Sequence, residues 1–289
     1  MHETEDRKAI PVVVRHDTFS TLLVHAEPGQ ASTHRVEAAA RLARDLGAHL
    51  IGVGAETFEP MLMAGPFLGY AGGEWAGLVQ DGIRKNIAAA EAAFQRDAAG
   101  ADVEWRTLED YPHTALRLLA RAADLVVVGP RGRGGDVRTA DPADVLLNAG
   151  RPILVVPEGR HHLRAQSVVV AWKDTRECRR AIADALPFLQ RADDVVVLAV
   201  VKPDAVESAA FEVADVVQNL KRHGVEARPL VTAVPREGVT AEIERVARAN
   251  TADLVVCGGY GHSRTREWAF GGVTDELLHR PACFVLMSH

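Results

Sequence analysis

The chain has 289 residues, about twice the commonest size of a single domain, so two domains are the first expectation. Apolar residues make up 47% and charged residues 25%, a balance that excludes wholesale disorder, and a net charge of −6 argues against a dedicated nucleic-acid binder. Cys178, Cys257 and Cys283 are too few and too scattered for a disulfide framework or a zinc knuckle. No stretch reaches the roughly 18 uninterrupted apolar residues that span a bilayer, and the polar start Met1–Arg7 does not read as a signal peptide. A cytoplasmic protein without membrane contact is therefore expected.

In chain order, Thr21–Val24 reads as a first buried strand and Thr33–Leu46 as the helix that follows it. Between the second strand and a helix at Ile83–Ala99 lies an insertion at about residues 55–80. Its centre, Phe58–Trp75, is unusually apolar for a loop and holds Met61, Met63 and four aromatics. Such a segment serves either as an adaptable lid or partner surface, or as cover for an apolar flank of its own molecule, and the second is preferred. The first half closes with a strand at Ile153–Val156, and the polar stretch Glu158–Arg164 reads as a linker. The second half is plainer still. Strands are predicted at Ser167–Trp172, Asp194–Val201, Val225–Val231, Leu254–Cys257 and Cys283–Met287. Helices are predicted at Arg176–Leu189, Val206–His223, Val239–Ala249 and Thr274–His279.

The halves repeat one another. Ala123-Asp-Leu-Val-Val-Val-Gly129 returns as Ala252-Asp-Leu-Val-Val-Cys-Gly258, and Arg151-Pro152 returns as Arg280-Pro281, both at an offset of 129. Thr21–Val24 matches Ser167–Val170 at 146, and Val103–Arg106 matches Val225–Arg228 at 122. Matches in one order, separated by insertions and deletions, make residues 18–158 and 165–289 two copies of one domain. Strands alternating with helices imply parallel pairing with right-handed crossovers. The expected fold is thus α/β, two doubly wound, Rossmann-like five-stranded parallel sheets in tandem.

In such sheets ligands bind beyond the carboxyl ends of the strands, where the strand order reverses. After the fourth strand of the second half comes Gly258-Gly-Tyr-Gly261, then nine residues, then Gly271-Gly272-Val273-Thr274 at the start of a helix. Glycines let backbone N–H groups converge on an anion, and a helix start adds unpaired donors. His262, Arg264 and Arg266 add positive charge in between.

This Gly-x2-Gly-x9-Gly pattern in a five-stranded α/β domain resembles that of the universal stress protein family, twice over along the whole chain. The resemblance implies an adenine nucleotide α-hydrolase-like fold and an adenine nucleotide such as ATP as ligand, with no cofactor required and no metal. It assigns phosphate contacts to Gly258, Gly261, Gly271, Gly272, Val273 and Thr274, and nucleoside contacts to Trp172, Lys173 and Val200. Gly272 stands where the family has Ser or Thr, and Lys173 where it has Asp. The resemblance further implies that Ile153–Val156 and Cys283–Met287 pair the halves into an intrachain pseudo-dimer, with a chain–chain homodimer as a further expectation.

The first half departs more. Gly129 and Gly132 remain, but Pro142 replaces the third glycine and has no N–H to give. Asp141-Pro142 reads as an N-cap and first helical residue, and Asp141 and Asp144 would repel a phosphate. His25-Ala26-Glu27 follows the first strand, and no nucleotide is expected there. Other chemistries fare worse. Gly261-His-Ser263-Arg-Thr265 has Thr where a nucleophile elbow needs Gly, no P-loop or zinc motif occurs, and His161-His162 reads as solvated. Cys257 and Cys283, on adjacent predicted strands, read as core residues and not as a redox pair. Asp174 and Glu267 are the nearest carboxylates to the glycine loop, and no turnover is expected. The alternative is a ligand-free module acting through protein contacts.

Overall fold

The computed structural model describes residues 18–57, 71–131, 138–260 and 272–289, with the backbone alone for 71–76. The first half contains β1 (Thr21–His25), α1 (Gln30–Leu46), β2 (His49–Ala55), α2 (Ala71–Asp97), β3 (Val103–Leu108), α3 (Pro112–Leu119), β4 (Leu125–Val128), α4 (Pro142–Asn148) and β5 (Ile153–Val155). The second contains β6 (Ser167–Trp172), α5 (Arg176–Leu189), β7 (Asp194–Val201), α6 (Val206–Arg222), β8 (Ala227–Ala233), α7 (Val239–Ala249), β9 (Leu254–Gly258), α8 (Val273–His279) and β10 (Phe284–Ser288). The predicted α/β alternation is present in both halves.

All of these strands join one sheet, ordered β3-β2-β1-β4-β5-β10-β9-β6-β7-β8. Within each half neighbouring strands are parallel, and the order reverses between β1 and β4 and between β6 and β9. β5 and β10 run antiparallel, with Val155 opposite Val285, Leu154 opposite Leu286 and Ile153 opposite Met287. Two five-stranded sheets are thereby continuous through their last strands.

Alternation along the strands sends successive side chains to opposite faces. One face buries Leu22, Val24, Val168, Val170 and Trp172 with residues of α1, α2, α5 and α6. The other buries Leu23, Val126, Val169, Val255 and Cys257 with residues of α3, α4, α7 and α8. Each apolar layer contains residues of both halves. The repeated Asp of the Ala-Asp-Leu-Val-Val segments has a structural task. Asp124 accepts the backbone N–H groups of Ser20 (2.9 Å) and Thr21 (3.0 Å), and Asp253 those of Arg164 (2.7 Å) and Ala165 (3.2 Å). Each carboxylate thereby fixes the chain as it enters the first strand of its half.

Several boundaries differ from expectation: α1 begins at Gln30 and not at Thr33, some element ends move by one residue, and three differences bear on the reading. α2 begins at Ala71, twelve residues before the predicted Ile83, and takes in the end of the apolar insertion. Extending an existing helix is cheap compared with nucleating one, so glycines costing about 1 kcal/mol each do not stop it. The rest of that insertion, residues 58–70, lies outside the described residues. β8 is shifted to Ala227–Ala233 and includes Pro229, tolerated because β8 lies at the edge of the sheet. Cys283 falls one residue before β10 instead of on it and is half-buried at the edge of the core, not a core residue as expected, whereas Cys257 is buried in the core. Burial raises the Cys257 thiol and pushes Cys283, helped by Asp253 and Glu244, up to about 12, so both are protonated at neutral pH.

Candidate functional site

The carboxyl ends of β6 and β9 lie side by side, with Ala171 opposite Cys257. The loop after β6 exposes Lys173 and Asp174, turns where the Thr175 N–H donates to the Lys173 carbonyl (2.7 Å), and enters α5. Thr175 caps α5 by accepting the Cys178 N–H (3.3 Å). After β9, the Gly259 N–H donates to the Ser288 carbonyl (2.9 Å). Tyr260 then adopts a left-handed φ of 56°, and its N–H donates to Thr274 Oγ1 (3.3 Å). The two flanks of the glycine motif are thus tied together. Gly272 is the N-cap of α8, and its carbonyl accepts the Glu276 N–H (3.1 Å).

Gly258 and Gly259 each have a packing reason. A Cβ on Gly258 would lie 2.5 Å from the Cys178 nitrogen and 2.6 Å from the Glu177 carbonyl carbon, so the first turn of α5 rests on this glycine. A Cβ on Gly259 would lie 2.5 Å from Cδ2 of Leu146, which belongs to α4 of the first half. Gly261 and Gly271 lie outside the described residues, as do His262, Ser263, Arg264, Thr265, Arg266 and Glu267.

The structure brings Gly258, Gly272, Val273 and Thr274 to one end of the sheet, on the side covered by α8, and Val200 packs against that same face. Trp172 points to the opposite face. It walls a groove of ≈ 420 Å³ between α5 and α6, together with Asp174, Arg179, Glu212 and Asp215. Asp174 is ion-paired with Arg179. Another cavity, of ≈ 240 Å³, sits at the opposite end of β9 and β10 beside Asp253 and Cys283, away from the glycine loop.

The sequence reading did not single out Glu177, which is 2% exposed in the first turn of α5. Burial raises its carboxyl, but hydrogen bonds from Arg176, its own backbone and Thr175 hold it below the usual carboxylate range. Its signal was an acid in the first turn of a capped helix.

The matching end of the first half is built differently. Arg35 of α1 is buried at 6% exposure; its Nε donates to the His25 carbonyl (2.8 Å) and its guanidinium pairs with Glu27. His25 Nδ1 lies 2.8 Å from Glu27 Oε2, and the Glu27 N–H donates to Ser32 Oγ (3.0 Å). Burial would raise the Glu27 carboxyl, but the Arg35 and His25 charges and hydrogen bonds overcome it and hold it at about 2. A Cβ on Gly129 would meet Arg35 Nη1 at 2.7 Å, so the guanidinium rests on the first glycine of that half's motif. As predicted, Asp141 caps α4 by accepting the Ala143 N–H (2.9 Å), with Pro142 as first helical residue. Sequence reasoning missed Arg35. Its signal was a guanidinium on the stripe that continues as Ala39 and Leu42 and faces the core.

Among the described residues no group of His, Cys, Asp and Glu could hold a metal, and no helix is long and apolar enough to cross a membrane. The universal stress protein family model matches the chain twice, at residues 18–157 and 165–289. A universal stress protein from Archaeoglobus fulgidus DSM 4304 shares the fold at 13% identity, with a TM-score of 0.61, over 92% of this chain and 94% of its own. A functionally unknown protein from Pseudomonas aeruginosa PAO1 does so at 15% identity, with a TM-score of 0.55, over 93% of this chain and 92% of its own. No curated protein matches the chain. With both halves matched and the two switch points built on the same topology, the chain belongs to the universal stress protein family and carries two of its domains in tandem.

Proposed function

We propose that the chain is a stress-response module that binds one adenine nucleotide, ATP being the reference ligand, in its second half and none in its first. The observation that carries this reading is the difference between the two switch points. On the first, Arg35 and Glu27 form a buried ion pair over Gly129. On the second, the positions matching Glu27 and Arg35 at the offset of 146 are Lys173, which is exposed, and Ala181, which leaves no guanidinium over Gly258. A lysine just past the end of β6, beside the carboxyl end of β9, favours a phosphate chain, whereas the Glu27 carboxylate opposes one. On this reading the module binds its ligand without turnover; of the two nearest carboxylates, Asp174, in the loop after β6, is ion-paired with Arg179, and Glu267 lies outside the described residues.

A titration of ATP into the full chain, read by calorimetry, tests this. Binding that is weakened by Lys173→Glu and untouched by Arg35→Met is the expected result; heat equal to dilution at millimolar ATP defeats the proposal. A second reading, a ligand-free module working through protein contacts, is favoured by one observation. The neighbours of Gly258 and Gly259 account for both glycines without any ligand.

A further inference from the structure

The first half has lost a glycine of its own motif, yet its loop reaches into the other half. The Arg131 N–H donates to the Leu278 carbonyl of α8 (2.7 Å). Its guanidinium lies 3.3 Å from Asp275, in the first turn of α8, and 3.1 Å from Asp141, the N-cap of α4. One residue therefore joins the starts of the two equivalent helices. Tyr260, which matches Arg131 at the offset of 129, donates its N–H to Thr274 of its own half. Leu146, 2% exposed on α4, occupies the space over Gly259 from the same side.

We propose that Arg131 and Leu146 are positioning residues through which the first half holds the glycine-loop flanks of the second: Gly259, Tyr260 and the start of α8. Two requirements meet here. α8 begins with Asp275 and Glu276, which suit its dipole but repel any anion brought to that end. Arg131 neutralises one of them while the Leu278 hydrogen bond anchors its own backbone. An exposed ion pair alone contributes little, but a guanidinium shared by two carboxylates on a fixed backbone defines a distance between two helices. Leu146 adds a steric stop at Gly259. On this inference the first half is kept as the brace of the second.

The test is hydrogen exchange on the full chain, with the amides of Tyr260 and Glu276 as reporters. Arg131→Ala speeds both about tenfold or more and leaves Ala26, in the first half, unchanged. Arg131→Lys lies closer to wild type. Unchanged exchange at Tyr260 and Glu276, or equal acceleration throughout the chain, overturns the inference. Leu146 is tested by a double-mutant cycle: Gly259→Ala destabilises, and Leu146→Ala in the same chain relieves part of that loss instead of adding to it. Simple additivity overturns the contact. The inference also deepens the nucleotide reading. Arg131→Ala weakens ATP about tenfold and leaves adenosine unchanged, a split that a purely structural loss does not produce. A wild type that binds no ATP removes the nucleotide reading alone, because the exchange result still decides the brace.

Discussion

Replacing Arg35 by Met removes the guanidinium and keeps most of the apolar stem. Glu27, whose side chain is 11% exposed, then faces only His25, and the hydrogen bond from Arg35 to the His25 carbonyl is gone. Breaking a buried pair from one side costs about 3–5 kcal/mol, and Met packing offsets some of it, so a loss of about 3 kcal/mol at pH 7 is expected. The pH dependence supplies an internal check. The Glu27 carboxyl lies at about 2 when folded against 4.5 as its ordinary value, a depressed pKa. Its stabilisation is therefore complete above 4.5 and disappears as pH falls through 2. One unit below the ordinary value, at about pH 3.5, about 1.4 kcal/mol of it is lost from wild type. The variant has little of this stabilisation to lose, so the gap between the two proteins narrows. Urea unfolding followed by far-UV circular dichroism at pH 7 and at about pH 3.5 measures both. A gap under about 1 kcal/mol at pH 7, or one that does not narrow, refutes the view of Arg35 as a buried counter-ion.

Other consequences follow from single contacts. Gly258→Ala drives a Cβ into the backbone of Cys178 and Glu177, and a loss of about 1–3 kcal/mol is expected; a wild-type melting temperature would show that α5 does not rest on this glycine. Asp141→Ala removes the cap of α4 and one partner of Arg131, costing about 1 kcal/mol in chemical denaturation. Burial together with the Asp253 and Glu244 charges pushes the half-buried Cys283 thiol up to about 12, so it reacts with iodoacetamide at pH 8 more slowly than a small free thiol; labelling as fast as that of a small free thiol contradicts the raised pKa.

Local patterning made much of the fold legible. Buried β-branched runs marked the strands, and the repeated Ala-Asp-Leu-Val-Val segments gave the internal duplication before Asp124 and Asp253 were seen to anchor each half. Asp141-Pro142 was readable because a cap and a first helical proline act within three residues. What escaped was non-local or went against residue preference. Arg35 is an arginine in the core, and only its pairing with Glu27 explains it. The side on which Trp172 points follows from the pleat of β6, one residue from facing the glycine loop. The meeting of β5 and β10 was expected from the resemblance and is borne out, but no local pattern encodes it, and the reach of Arg131 and Leu146 across that pairing escaped.

On the proposed function the two copies of one domain divide their labour, the second binding nucleotide and the first not. Equilibrium dialysis of labelled ATP against the full chain tests it most directly, with Lys173→Glu and Arg35→Met run beside wild type. One nucleotide per chain is expected for wild type and for Arg35→Met, and weakened binding for Lys173→Glu. Two nucleotides per wild-type chain, or one that persists in Lys173→Glu at unchanged affinity, would contradict it.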